Sequence, residues 1–375
     1  MKVNRIFIIL IVLPLLLNNV FATDDYTKEI AGELELEKVV DKLNDFTEDI
    51  DLEEISSNIL TGKGLNFGVI GNILVKSLKE NISPFIKEAV TVIIFLILFS
   101  FIRSFELERD SCLGEIVNIV GVLVIVSIYF ARYINLLDIM KEAISLETNI
   151  VQIISPFMMG ILILTGAVTT TSLIQPIVLL LVGVIGFLVT YIIIPLISLS
   201  IVLNILSNLS NFVNMERFSK MANKAAMLIV TILLTAFVTL YGLQTSISTS
   251  VDEVTLKASQ AAVSNTIPVV GKFVSDSLEF IIGASQLIGK TGGIIALIVI
   301  IVLLISPVIK LAIATCITTA VSAIAEALNL DNKIVKIIEG FSNSYKTILG
   351  ILIAISIMFI TSIGVVISLM EKIAS

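Results

Sequence analysis

Histidine is absent from all 375 residues. Without an imidazole the chain has no Ser–His–Asp triad, no HExxH zinc site and no histidine pH switch. Only two cysteines occur, Cys112 in a charged loop and Cys316 in an apolar stretch. They fall on separate elements, which argues against a structural disulfide, and two thiols without histidine make a poor zinc site. Tryptophan is missing too, so any interfacial belt must use tyrosine and phenylalanine. Charge is scarce: 15% of residues are Asp, Glu, Lys or Arg, against 57% hydrophobic, with a mean hydropathy of +1.06. Soluble domains carry about a quarter charged residues.

What is present is a series of apolar runs of spanning length, which water does not tolerate and lipid does. The runs do not alternate apolar and polar residues as barrel strands would. The expected fold is an all-α polytopic membrane protein with six to eight membrane segments.

Residues 1–22 read as a signal peptide: Lys2 and Arg5, an apolar core from Ile6 to Leu17, then Val20-Phe21-Ala22 before a cleavage site. An uncleaved first span is the alternative. Residues 23–87 form an exported acidic region. Asp24 to Glu54 holds thirteen acids and three lysines, and Ile30, Leu34, Val39, Leu43 and Phe46 fall near helical spacing. A second amphipathic piece, Leu65 to Leu78, leads to Ser83-Pro84, read as a helix start. Residues 88–148 supply two spans, about Ala89–Arg103 and Ile116–Tyr133. An amphipathic stretch follows, with Leu136, Met140 and Ile144 on one face, expected to lie along the interface.

The rest is organised by prolines. Pro156 and Pro195 are 39 residues apart, and so are Pro268 and Pro307; the pairs are offset by 112, from 156 to 268 and from 195 to 307. With only seven prolines in the chain, the match predicts a tandem repeat of proline-broken helices: unit A over 149–247 and unit B over 248–375. A weaker echo pairs Phe218-Ser219 and Lys224 with Phe341-Ser342 and Lys346. With residues 23–87 outside, the positive-inside bias puts Arg103, Arg109, Arg217, Lys220, Lys224, Lys333, Lys336 and Lys346 in the cytoplasm, if 153–172 and 267–290 are re-entrant hairpins rather than full spans. Re-entrant backbone must be buried in protein or line a wet cavity. Repeats with broken helices are characteristic of transporter folds, with the site between the units.

The candidate pathway or packing positions are Pro156, Pro195, Pro268, Gly271, Pro307 and Lys310. Lys310 lies one turn beyond Pro307 in an apolar run, where a charge is costly and faces protein or water; the alternative is a lysine that snorkels to the interface. Glu326 is read as interfacial. Gly283 with Gly289-Lys290-Thr291 mimics a phosphate loop but has one residue too many and no preceding strand. Gly292-Gly293, with Gly283 and Gly289, is read as supporting turns and close helix packing rather than a ligand. Asn204, Asn208, Asn211 and Asn214 form a stripe suited to bonding across helices or to capping. No Gly-x-Gly-Asp or HExxH motif is present, so no enzymatic activity, metal or cofactor is expected, although a lone Ser–Lys arrangement stays open.

The order of these features, with SPFMMGILILTGAVTTTSLIQP and then KASQAAVSNTIPVVGKFVSDSLEFIIGASQLIGKTGGIIALIVIIVLLISPVIK, resembles the stage III sporulation protein AE family of endospore-forming Firmicutes. The resemblance covers nearly the whole chain and is most specific from Ile267 to Lys310; before about Ser83 it is one of character only. It implies a subunit of the mother-cell channel complex linked to the engulfed forespore. The implied partners are the other membrane proteins of the stage III sporulation A operon, including a secretion-type ATPase and ring-forming subunits. Nucleic acid is not among the expected partners; the lipid bilayer is. The family implies no catalytic residues. A permease moving a small solute through the repeat interface is the competing reading. A permease predicts polar residues facing a cavity between the units; a structural subunit predicts a filled apolar interior.

Overall fold

A computed structural model describes residues 36–47, 51–60, 68–104, 112–209, 215–239 and 270–372. The signal peptide and Pro268 lie outside them. Two short helices, α1 (Leu36–Asn44) and α2 (Leu52–Leu60), precede the long ones. Val39 and Leu43 of the expected amphipathic face are buried on α1. Then come α3 (Gly68–Ser104), α4 (Cys112–Leu164), α5 (Val168–Leu188), a π-helical turn (Val189–Ile193) and α6 (Ile194–Leu209). The bundle is completed by α7 (Glu216–Thr239), α8 (Val270–Ala327) and α9 (Asn332–Lys372). Among the described residues six helical stretches are long and apolar enough to cross a bilayer. The chain is an all-α, multi-pass membrane protein.

α8 is the axis of the bundle, packing on α9, α3 and α4. Thr291 to Ile300 is buried on every side, as expected for a helix that is apolar all round. Gly289, Gly292 and Gly293 let α4 and α9 approach it closely. A Cβ on Gly293 would stand 2.7 Å from Ile367 Cγ1 and from Met158 Cε, and one on Gly292 2.5 Å from Phe157. Aromatic rings tie α4 to α9: Tyr129 stacks on Phe341 with centroids 5.5 Å apart, and the Tyr345 hydroxyl donates to the Tyr129 carbonyl at 3.0 Å.

Both helical hairpins close with one device. After α4, Gly166 takes φ 85°; its N–H bonds to the Ile163 carbonyl and that of Ala167 to Leu162. After α8, Asn329 takes φ 52°; its N–H bonds to Glu326 and that of Leu330 to Ala325. These paired bonds around one left-handed residue form a Schellman cap, which favours glycine and tolerates asparagine. Asp331 then caps α9, its carboxylate accepting from the Lys333 N–H at 3.0 Å.

Several sequence expectations are corrected here. Residues 134–148 are not a separate interfacial helix but the middle of α4. Their apolar face, with Leu136 and Met140 fully buried, packs into the bundle instead of onto lipid headgroups. Ser83-Pro84 does not start a helix; α3 passes through it on an exposed face. Residues 270–290 form no re-entrant hairpin but run unbroken into the rest of α8. Residues 153–172 do turn, yet the turn at 165–167 joins two long helices rather than closing a short dip. At the 112-residue offset, Gly166 corresponds to Leu278, a strong helix former with no access to positive φ. The two units are therefore not equivalent copies.

Candidate functional site

Among the described residues, Pro156, Pro195 and Pro307 line no common crevice. Pro195 follows the π-helical turn, in which the Ile194 N–H reaches back five residues to Val189. A proline ring inside an α-helix collides with the carbonyl four residues earlier, here Tyr191, and the wider π turn relieves that clash. Pro307 sits half-buried in an uninterrupted α8, with no such turn. Pro156 is exposed on α4 and helps line a crevice shared with Lys38 and Lys42 of α1. Gly271 lies in the first turn of α8. Lys310 is half-buried on α8. The phosphate-loop mimic at Gly283–Thr291 is continuous helix.

The polar convergence lies elsewhere. A crevice of about 450 Å³ opens between α6, α7 and α9, lined by Ser200, Asn204, Glu216, Ser219, Lys220, Asn223, Lys224, Lys336, Glu339, Asn343 and Lys346. The sequence order explains why these elements meet. Ser200 and Ser219 exchange hydroxyl-to-carbonyl bonds at 2.8 and 2.7 Å, fastening α6 to α7. Thr319 and Ser342 fasten α8 to α9 by a single hydroxyl-to-hydroxyl hydrogen bond of 2.7 Å. The Asn204 amide packs against Gly340, where any side chain would collide with it. That contact lets α6 approach α9.

The weak Phe-Ser-Lys echo is what brings the two units to a common place, since Lys224 and Lys346 both face this crevice. Of the asparagine stripe, Asn204 lines it, and Asn208 donates to the Asn204 carbonyl at 2.8 Å; Asn211 and Asn214 lie outside the described residues. Glu216 is engaged twice, with Lys220 at 2.5 Å and Lys336 at 3.4 Å. Among the described residues no ion pair or hydrogen bond holds Lys224 or Lys346.

Sequence reasoning did not single out two polar contacts inside the bundle. Glu147 of α4 accepts a 2.6 Å hydrogen bond from Ser356 of α9. It falls three residues after Ile144 on the stripe already marked by Leu136 and Met140, so helical phase alone could have placed it inside. Arg132 of α4 pairs with Glu88 of α3 and stacks over the Phe85 ring at 4.5 Å. No short-range spacing announces that pair, because its members are 44 residues apart.

Between α4, α8 and α9 the interior is filled by isoleucine, leucine, methionine and phenylalanine side chains. A filled interior is what a structural subunit predicts.

Residues 45–369 match the family model described as stage III sporulation protein AE. A curated relative, the stage III sporulation protein AE of Bacillus subtilis (strain 168), is 24% identical over 260 residues, or 69% of this chain and 65% of that protein. The chain therefore matches somewhat less than two thirds of that relative's length. No solved structure matches.

Proposed function

Because the chain belongs to the stage III sporulation protein AE family, we propose that it is a non-catalytic structural subunit of the membrane complex that joins the mother cell to the engulfed forespore. The observation that carries this reading is the uncharged helical path from Val168 to Leu209, 42 residues without one Asp, Glu, Lys or Arg. At 1.5 Å per residue it is about 63 Å long. A bilayer core is about 30 Å thick. Modest tilt does not absorb a twofold excess. Val168, Leu173, Leu180, Phe187, Leu199 and Leu206 are exposed along this path, from its first residue to within a turn of its last. Those that fall beyond the hydrocarbon need protein to cover them, and a subunit embedded among other membrane proteins has that cover. The partners in this reading are the other membrane proteins of the same operon, including a secretion-type ATPase and ring-forming subunits. A polar crevice does lie between the units, as a permease would have it, but the filled apolar interior between α4, α8 and α9 gives it no polar continuation through the bundle.

The test places photo-crosslinking residues at Leu173 and at Leu206, exposed near the two ends of the path, in sporulating cells. Adducts with other membrane proteins of the complex, formed during engulfment, are expected. Adducts with lipid alone at both positions, or solute flux through the purified chain in liposomes, would overturn the proposal.

A further inference from the structure

The crevice between α6, α7 and α9 has the charge and depth of an anion site, and its position identifies the kind of anion. Four lysines face two glutamates there, a formal excess of two positive charges. Glu216 is shared by Lys220 and Lys336, while Lys224 and Lys346 are held by no ion pair or hydrogen bond among the described residues. Two buried acceptors, Asn204 Oδ1 and Asn223 Oδ1, have no hydrogen-bond partner among the described residues. Buried polar atoms left unpaired are costly, so a ligand that supplies hydroxyl donors gains there.

Just beyond these lysines both helices change character. After Lys224, α7 carries no charge from Ala225 to Thr239; after Lys346, α9 carries none from Thr347 to Met370. The crevice thus lies where charged helix gives way to apolar helix, the level of lipid headgroups. Met227 forms part of its wall, and Leu228 and Ile232 continue outward on α7 as exposed apolar side chains. Basic pockets between membrane helices at this level suit anionic headgroups.

We propose that this crevice binds an anionic phospholipid with a hydroxylated headgroup, of the phosphatidylglycerol class. Lys224 and Lys346 contact the phosphodiester. The headgroup hydroxyls donate to Asn204 and Asn223, and the acyl chains lie along Leu228 and Ile232. The site does not depend on the assembly role proposed above.

The test uses the full chain in detergent, titrated with phosphatidylglycerol, phosphatidic acid, phosphatidylcholine or inorganic phosphate, and read by native mass spectrometry and thermal unfolding. Phosphatidylglycerol is expected to bind and raise the unfolding temperature. Phosphatidic acid, which lacks the hydroxylated headgroup, should bind more weakly, and phosphatidylcholine and millimolar phosphate should fail to compete. In the K224Q/K346Q variant, whose altered side chains are exposed, phosphatidylglycerol binding should fall about tenfold or more while the unfolding temperature without lipid is unchanged. Equal binding of phosphatidylcholine, full competition by free phosphate, or undiminished binding by the double variant would overturn the proposal. So would a crosslinker at position 224 that captures an acidic protein segment and no lipid in native membranes.

Discussion

Glu147 of α4 and Ser356 of α9 meet at 2.6 Å in the middle of the bundle, where the glutamate is only 1% exposed. The second carboxylate oxygen has no hydrogen-bond partner among the described residues. A carboxylate in such surroundings is costly to bury, whereas a neutral amide of the same shape keeps the acceptor that Ser356 uses. Glu147→Gln is therefore expected to match or exceed the parent in thermal stability in detergent. Glu147→Ala should lose about 1–3 kcal/mol through the void it leaves, since the Ser356 hydroxyl keeps the Leu352 carbonyl at 2.8 Å as an acceptor, and Glu147→Lys should fail to accumulate as folded protein. If Gln destabilised as much as Ala, the carboxylate charge itself would be required there.

The glycines separate into two groups that substitution should tell apart. At Gly293 a side chain would press on Ile367 and Met158, while at Gly183 nothing lies within 4 Å. Gly293→Val should cost about 1–3 kcal/mol through overpacking where α4, α8 and α9 meet. Gly183→Ala, on an exposed helical face, should be neutral or should gain up to about 1 kcal/mol from reduced backbone freedom. Unfolding midpoints of the two variants check this directly.

Arg132 and Glu88 link α4 to α3, and both are about a quarter exposed. Phe85 covers one face of the guanidinium. Removing either partner strands the other charge in a partly apolar setting. Arg132→Met and Glu88→Gln are each expected to destabilise, and the double variant should lose less than the sum of the two. The coupling in this cycle, measured by thermal unfolding, should be about 0.5–3 kcal/mol. A purely additive result would mean that the pair contributes only packing.

How much of this was legible beforehand depends on the range of the interaction. Apolar runs, the amphipathic Val39–Leu43 face and the packing role of Gly292-Gly293 are local, and their signals lie within a few helical turns. The proline spacing misled because a proline constrains its own turn and not the partner helix. Pro195 is accommodated by a π turn and Pro307 by uninterrupted α-helix. Leu278 occupies the position at which unit A has Gly166, the residue that takes positive φ in the turn, and there α8 continues as helix. The crevice was half visible, since Lys224, Lys346 and Asn204 each carried a signal. Their meeting depends on Ser200–Ser219 and on Gly340, contacts between helices that no periodicity within one helix reports.

Replacing two hairpins by long helices keeps six crossings and the same distribution of basic residues, and this yields a topology prediction. α3 and α4 make one crossing each, α5 with α6 makes a third, and α7, α8 and α9 make three more. With the amino-terminal region outside, the turn at Thr165–Ala167 returns to the outside. The end of α6, the start of α7 and the turn before Asp331 are then on the cytoplasmic side. Ser100 supports the shared end, since its hydroxyl, near the end of α3, donates to the Leu328 carbonyl at 3.3 Å. Lys336 supports it too, reaching Glu216 at the start of α7. In a chain whose native thiols are replaced by serine, Leu164→Cys, at an exposed position, should react with an impermeant thiol reagent added outside intact cells. Glu326→Cys, exposed at the opposite end, should react only after the membrane is opened. Labelling of both from one side would contradict this topology.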